Sequence, residues 1–127
     1  MSDIDAVRRA TYISLTTYRK DGTPVATPVW QVARGEGELV VVTPADSWKV
    51  KRIRRNGAVT VAVCTVRGHV APDAAVLPGT ARLLDEAGTA DAQKLLAKKY
   101  LSSRIGNGIL KVLRVRKKPN IGIVITL

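Results

Sequence analysis

Six short segments, rich in β-branched residues and separated by turn residues, most constrain what this chain folds into. Tight turns such as Asp21-Gly22 between short strands are typical of a small sheet that closes on itself. Pro78-Gly79 inside the fifth segment predicts a bulge or a bend. We therefore expect a mainly β (α+β) fold, a six-stranded closed or half-closed barrel whose strands cover residues 12–18, 25–33, 38–43, 58–66, 75–84 and 121–127.

Three helices are predicted to flank this sheet, the last of them capped by Thr89, over residues 3–10, 47–55 and 90–101. The apolar spacing that begins at Ile105 is also compatible with a helix past Gly106, and residues 117–120 are predicted to form a turn. No linker, repeat or low-complexity tract interrupts the chain. Residues 1–127 are therefore predicted to form a single domain.

The apolar residues available for the core are almost all aliphatic. Hydrophobic residues make up 46% of the chain, yet the aromatics are two Trp and three Tyr, with no Phe. A core this small often extends across a subunit interface, which favours a homodimer. There is no apolar run long enough to cross a membrane, no signal-peptide pattern, and a single cysteine, Cys64, which rules out an internal disulfide. We expect an inert thiol and a cytoplasmic protein with no membrane partner.

The chain carries a net charge of +11, from 21 Lys and Arg residues against 10 Asp and Glu residues. Such a surplus favours anionic partners, for example a phosphorylated cofactor or nucleic acid. One Cys and one His (His69) do not make a zinc site, and the sequence contains neither a nucleophile elbow nor a GxxxxGK[ST] loop. No metal site is predicted, and an enzyme of this composition needs a bound cofactor to carry its chemistry.

The segment 43–56 has the composition of an anion-binding site. An apolar strand ends at Thr43, a turn follows, and Ser47 begins a helix that holds five cations between Lys49 and Arg55. Backbone N–H groups at the start of a helix carry partial positive charge and lack partners within the helix. The hydroxyls of Thr43 and Ser47 and the ammonium of Lys49 are therefore candidate phosphate ligands. The alternative is a solvated basic helix on the surface.

Several motifs are shared with a known superfamily. They are the segments 12–17, 21–24 and 27–30, the pattern Thr43-x3-Ser47-x-Lys49 with Arg54-Arg55-Asn56, residues 64–68, and the stretch 95–100 that ends in Lys-Lys-Tyr. Together they resemble the pyridoxamine-phosphate-oxidase-like split barrels of the FMN-binding type, over about residues 11–104 and the final strand. Within that superfamily the chain most resembles the actinobacterial group that uses the deazaflavin coenzyme F-420. The resemblance implies a homodimer of six-stranded split barrels with cofactor grooves at the subunit interface.

The resemblance also implies which residues contact the cofactor. Thr27, Pro28 and Val29 would line its ring and ribityl chain. Thr43, Ser47 and Lys49 would hold its phosphate with Trp48 beside them, and helical spacing adds Arg52, one turn after Lys49. Pyridoxamine-phosphate oxidases have an Arg where Trp48 stands and a basic residue in the strand of Thr27. Oxidation of pyridoxamine phosphate is therefore disfavoured.

The implied activity is that of an F-420-dependent oxidoreductase, which transfers a hydride between the reduced deazaflavin and a small unsaturated organic substrate. The surplus cations at Lys51, Arg52, Arg54 and Arg55 and in the C-terminal third are candidates to hold the oligoglutamate tail that F-420 has and FMN lacks, and the alternative is that they serve solubility. Trp30 is a candidate wall of the substrate pocket, and the proton would come from water or from one of the tyrosines, Tyr12, Tyr18 or Tyr100. The alternatives are an FMN-binding pyridoxamine-phosphate-oxidase-like protein, a flavin or haem carrier without catalysis and, more distantly, a basic nucleic-acid-binding barrel, which the scarcity of aromatics disfavours.

Overall fold

The computed structural model describes residues 3–101 and 120–127. Side chains are described for all of these residues except 100 and 101. Its three helices are α1 (Asp3–Arg9), α2 (Trp48–Arg55) and α3 (Glu86–Leu101). The strands in these ranges are β1 (Tyr12–Tyr18), β2 (Pro24–Trp30), β3 (Val32–Arg34), β4 (Glu38–Pro44), β5 (Ala58–Val63), β6 (Leu77–Leu83) and β7 (Asn120–Thr126).

One antiparallel sheet contains all seven of these described strands, in the order β2-β1-β5-β6-β7-β4-β3. Its two end strands, β2 and β3, follow each other in the chain with Gln31 alone between them. A linear sheet whose ends are joined by one residue has to curl, so the sheet forms the curled half-barrel of an α+β split-barrel fold. The predicted fold class is therefore confirmed.

The interior of the half-barrel is aliphatic, as the composition predicts. Ile13 and Leu15 of β1 alternate inward, as do Leu39 and Val41 of β4, and the corresponding residues of β5 and β7 join the same cluster. Val7 of α1 and Ile53 of α2 also pack into this cluster. The first turn of α2 is thus held against the barrel by the apolar face of its own helix.

Helix α3 covers the outside of the sheet at β3, β4 and β7. Ala92 and Leu96 pack against Val40 and Val124, which point away from the barrel interior. Because Val40 lies between Leu39 and Val41, strand β4 is buried on both faces. The alternation of apolar and polar residues that marks a half-buried strand is therefore absent from β4.

The junction between β2 and β3 is fastened by buried polar contacts. Gln31 is fully buried, and its Nε2 donates to the carbonyl oxygens of Val7 (2.9 Å) and Ala10 (2.6 Å) at the end of α1. The ammonium of Lys99 on α3 donates to the carbonyl oxygens of Ala10 (3.0 Å) and Gln31 (2.9 Å). Burial lowers the pKa of Lys99 below its usual value. These contacts hold α1, α3 and the two ends of the sheet together.

The predicted strand over residues 25–33 is wrong in one respect, because the chain breaks pairing at Gln31. Its first part pairs with β1 and its last part with β4, so the described sheet has seven strands where six were predicted. The prediction at Pro78-Gly79 was a bulge or a bend, and the bulge is wrong, since the register with β5 runs unbroken from Leu77 to Thr80. A Cβ on Gly79 would lie 2.9 Å from the carbonyl oxygen of Thr126, so the glycine permits close approach to β7 instead.

Helix α3 begins earlier than predicted, because Asp85 and not Thr89 caps it. The Asp85 carboxylate accepts a hydrogen bond from the backbone N–H of Gly88 at 2.7 Å. The Thr89 hydroxyl lies inside the helix and accepts instead from the backbone N–H of Gly122 in β7, at 2.9 Å. The predicted fourth strand stops at Val63, ahead of a turn in which the N–H of Gly68 donates to the carbonyl of Thr65.

Two predicted features fall outside the described residues, namely the helix past Gly106 and most of the turn over 117–120. In the described ranges, none of the helices combines the length and apolarity needed to span a lipid bilayer.

Candidate functional site

The N-terminus of α2 is open towards an anion. Ser47 occupies the N-cap position in an extended conformation, and its backbone N–H donates to the carbonyl of Pro44 at 3.1 Å. Its side chain caps no N–H of the helix, and its Oγ is buried without a hydrogen-bond partner among the described residues. The first turn contains no acidic residue. The start of α2 therefore combines the partial positive charge of a helix N-terminus with a buried Ser47 hydroxyl that has no acceptor among the described residues.

A groove beside this helix start runs between β2 and β4, and we call it the β2 groove. Thr43 and Lys49 supply its polar lining, whereas Tyr12 and Trp30 supply an aromatic wall. The two rings are cross-strand partners with centroids 6.1 Å apart and planes tilted by 40°. The groove has a volume of about 310 Å³ and is lined by Tyr12, Pro28, Val29, Trp30, Val42, Thr43, Lys49 and Val66.

A second groove lies at α2 and the β1–β2 hairpin, and we call it the cationic groove. Its volume is about 500 Å³, and its lining consists of Arg19, Lys20, Trp48, Lys51, Arg52 and Arg55. Trp48 is 70% exposed, and the ammonium of Lys51 lies 4.4 Å from the centre of its ring. No carboxylate lines this groove. It is a concentrated positive field with one exposed aromatic face.

The arginines of the cationic groove are held in place but lack counter-ions in the lining. Arg52 Nε donates to the buried hydroxyl of Thr17 at 2.7 Å, and Arg55 donates to the carbonyl of Tyr18 at 3.4 Å. Burial, followed by the nearby charges of Arg19 and Arg55, lowers the pKa of Arg52. Since arginine stays charged at neutral pH, these like charges repel one another, and a bound anion would relieve that repulsion.

The predicted cofactor residues are divided between four positions. Four of them, Pro28, Val29, Thr43 and Lys49, come together in the β2 groove, whereas Trp48 and Arg52 line the cationic groove. Ser47 lies at the start of α2, and Thr27 lies on the interior face of β2, opposite Leu15. The Thr27 Oγ1 is buried without a partner among the described residues.

Some lining residues were missed as binding residues by sequence reasoning. Arg19 and Lys20 reach the cationic groove because the β1–β2 hairpin brings them beside α2. Their position just before the Asp21-Gly22 turn was a usable signal, since a tight hairpin places its tip at one end of the sheet. Val42 and Val66 line the β2 groove from distant parts of the sequence, and no local pattern identifies them.

Other reactive side chains do not form a site in the described ranges. No group of three or more His, Cys, Asp and Glu residues there could hold a metal ion. Cys64 is half-buried, and burial raises the pKa of its thiol, which keeps it protonated and unreactive at neutral pH. Its backbone N–H donates to the carbonyl of Tyr12 at 3.3 Å. Among the residues that the structure describes, the two grooves around α2 are therefore the candidate sites.

Solved structures with the same fold include proteins of different activities. An F420 reductase aligns over 96% of this chain and 90% of its own, with a TM-score of 0.64 and 21% identity. The haem storage protein HutZ from Vibrio cholerae aligns over 98% and 87%, with a TM-score of 0.67 and 15% identity. A Listeria innocua protein provisionally assigned as a pyridoxamine 5'-phosphate oxidase aligns over 98% and 86%, with a TM-score of 0.62 and 18% identity. At such identities these likenesses establish the fold alone.

The sequence itself gives a family assignment. A search of curated proteins found no match. The family model described as pyridoxamine 5'-phosphate oxidase, in contrast, matches residues 4–120, which include both grooves and leave out only the first three and the last seven residues of the chain. This chain belongs to the pyridoxamine 5'-phosphate oxidase family.

Proposed function

We propose that this protein is an oxidoreductase that binds the deazaflavin coenzyme F-420 and acts on a small unsaturated organic substrate. The observation that carries the proposal is the buried, unpartnered hydroxyl of Ser47 at the open N-terminus of α2. A buried hydroxyl without a partner costs about 1–3 kcal/mol, and a phosphate oxygen at this position would recover that cost. In this proposal the hydroxyl adopts a rotamer that faces the bound phosphate.

The residues around Ser47 fit a phosphate in charge as well as in geometry. Lys49 and Thr43 line the β2 groove next to the first turn of α2, and that turn carries no acidic residue. Hydrogen bonds between an ammonium and a phosphate are about twice as strong as those between neutral groups. In this proposal Ser47, Thr43 and Lys49 hold the cofactor phosphate.

The apolar lining of the β2 groove suits the ring of the cofactor. Pro28 and Val29 present apolar surface, and Val42 and Val66 enlarge it. Such walls bind a planar ring and exclude water from its reactive face. When bound, F-420 supplies two-electron hydride chemistry, so this chain has to supply only binding, orientation and a proton.

The cationic groove supports F-420 over FMN. Both cofactors carry a phosphate, but F-420 extends beyond it into a tail of carboxylates. The cationic groove offers five basic side chains with no carboxylate in its lining, three of them on α2, the helix that follows Ser47, and two on the β1–β2 hairpin. An oligoglutamate tail would find counter-charge there. The resemblance in fold to an F420 reductase agrees with this choice.

A second candidate is an FMN-binding protein, because the family model that matches is that of pyridoxamine 5'-phosphate oxidase. The proposed phosphate site would serve FMN equally well, and the β2 groove does not discriminate between the two rings. In this proposal only the cationic groove gives F-420 a higher affinity than FMN.

Fluorescence titration of the purified protein with F-420 and with FMN tests the proposal. We expect F-420 to bind more tightly, and Lys49→Ala to weaken it about tenfold or more, since a hydrogen bond to a charged group is worth ~1.5–3 kcal/mol. The matched control is Lys94→Ala, which removes the same charge from an exposed position on α3. Equal affinities for the two cofactors would favour FMN, and an unchanged affinity in Lys49→Ala would move the phosphate site elsewhere.

A further inference from the structure

The β2 groove contains a single phenol among the described residues, and it belongs to Tyr12. Tyr18 lies at the opposite end of β1, and six residues of extended strand place it on the order of 20 Å away. The carbonyl of Tyr18 accepts a hydrogen bond from Arg55, and Tyr18 does not line the β2 groove. The side chain of Tyr100 lies outside those that the structure describes.

Tyr12 is held by the sheet on both sides. It pairs across the ladder with Trp30, whose ring packs against the cluster beneath α3, and the two rings are 6.1 Å apart. On the other side its carbonyl accepts from the N–H of Cys64 at 3.3 Å. A side chain fixed in this way on a strand is positioned more accurately than one on a loop.

The other protic side chains of the groove are less suited to give up a proton. Thr43 is 4% exposed, and an aliphatic hydroxyl is a far weaker acid than a phenol, whose ordinary pKa is about 10. Lys49 lies at the N-terminus of α2, where the proposed phosphate would hold it charged. The indole N–H of Trp30 does not ionise in water. Tyr12 remains as the acid of the groove.

We propose that Tyr12 is the proton donor of the reduction, an inference that rests on the proposed function. A hydride added to one carbon of a C=C bond conjugated to a carbonyl forms one C–H bond and leaves the electron pair of the π bond as an enolate. The O–H bond of Tyr12 then breaks, and its proton forms the second C–H bond. Both electrons of the reduction come from the reduced deazaflavin, which is oxidised, and water returns a proton to the tyrosinate.

The size and lining of the groove define the substrate class. About 310 Å³, shared with part of a cofactor ring, leaves room only for a small planar molecule. The rings of Tyr12 and Trp30 would stack against such a molecule or meet it edge-on. Small α,β-unsaturated ketones and aldehydes have this shape, and they yield the enolate that Tyr12 protonates.

The experiment compares Tyr12→Phe with Tyr18→Phe, a matched control that removes the same hydroxyl outside the groove. The rate is measured with cyclohex-2-en-1-one as the substrate that oxidises reduced F-420. Binding is measured separately with the enolate of cyclohexane-1,3-dione, which does not react, and tryptophan fluorescence of the cofactor-free protein reports its affinity. We expect Tyr12→Phe to keep its F-420 affinity within twofold, to bind the dione about tenfold more weakly and to reduce the enone about a hundredfold more slowly. Tyr18→Phe should match the wild type in every measurement.

The results separate this inference from the function on which it rests. If the wild type binds F-420 and Tyr12→Phe keeps the rate and the dione affinity, the assignment of Tyr12 is overturned while the proposed function stands. If the wild type binds no F-420, the proposed function fails, and the proton-donor role falls with it.

Discussion

An N-cap serine can stabilise its helix by accepting a hydrogen bond from a backbone N–H, and it can also bind an anion. Ser47 precedes α2 but makes no such capping bond, so the two roles can be tested separately. Replacing an N-cap serine by alanine usually costs about 0.5–2 kcal/mol of stability, because a bond to a backbone N–H is lost. The Oγ of Ser47 makes no such bond and is buried without a partner among the described residues. Because a buried hydroxyl without a partner costs about 1–3 kcal/mol, we expect Ser47→Ala to leave the free energy of unfolding unchanged or to raise it by up to that amount.

The same substitution should weaken cofactor binding markedly. A hydrogen bond to a charged phosphate is worth about 1.5–3 kcal/mol, which corresponds to a loss of roughly ten- to a hundredfold in affinity. The loss should be similar for F-420 and FMN, because both carry the phosphate. Unfolding in urea without cofactor gives the stability, and fluorescence titration gives the two dissociation constants.

Asp85→Ala is the matched control, because Asp85 does cap its helix. Its carboxylate accepts from the N–H of Gly88 at 2.7 Å, far along the chain from both grooves around α2. This variant should lose about 1 kcal/mol of stability and keep both cofactor affinities. If Ser47→Ala behaved like Asp85→Ala, with lower stability and unchanged affinities, the phosphate assignment at α2 would be refuted.

Three further predictions concern charge and assembly. F-420 binding should weaken more steeply with salt than FMN binding, because exposed ion pairs are screened beyond about 8 Å at physiological ionic strength. The double variant Arg52→Ala with Arg55→Ala should remove that difference. Equal salt slopes for the two cofactors in the wild type would contradict the tail site. Burial lowers the pKa of Lys99 below 10.5 in the folded state, so the unfolded chain binds more protons as the pH rises towards 10.5. The unfolding free energy of the wild type should therefore rise relative to Lys99→Met between pH 8 and pH 10, and a constant difference in urea titrations would show that the amine is not shifted. Sedimentation at micromolar concentration should give a homodimer of about twice 13.7 kDa, whereas a monomer that binds cofactor would exclude a site shared between subunits.

The sequence predicted the sheet well where local chemistry decides the structure. Asp21 and Gly22 form the expected hairpin turn, with the Asp21 carboxylate accepting from the N–H of Thr23 and Gly22 at a φ of 89°. Helix α2 begins after Ser47 and ends at Arg55, as its cap and its basic, amphipathic pattern indicate. In these places the signal lies within a few neighbouring residues.

The errors arise where a distant contact outweighs the local signal. Nothing near Gln31 in sequence marks a strand break, since the break depends on carbonyl groups of α1 more than twenty residues away. Thr89 has the side chain of a capping residue, but the backbone N–H of Gly122 in β7 engages it. Pro78-Gly79 suggests a bulge, yet the glycine is required by the close passage of β7.

In the candidate site, too, the features set by neighbouring residues were predicted and those set by distant contacts were not. Ser47 and Lys49 were predicted from the start of one helix, and the structure keeps them at that start. The separation of Lys49 from Arg52 into different grooves was not predicted, because helical spacing places the two residues near each other and ignores the walls that β1 and β2 build around the helix.

The two end strands of the sheet are poor templates for further growth. Strand β2 includes Pro24 and Pro28, which have no N–H to offer an incoming strand, and β3 is only three residues long. A second copy therefore has little to gain by extending the sheet edge to edge, and open-ended fibres are blocked at both ends. In the predicted homodimer, contact would fall on faces such as the outside of β1, where Ser14 lies between Pro28 and Ala62 without a charged cross-strand neighbour. Two copies related by a twofold axis through such faces would form a closed unit.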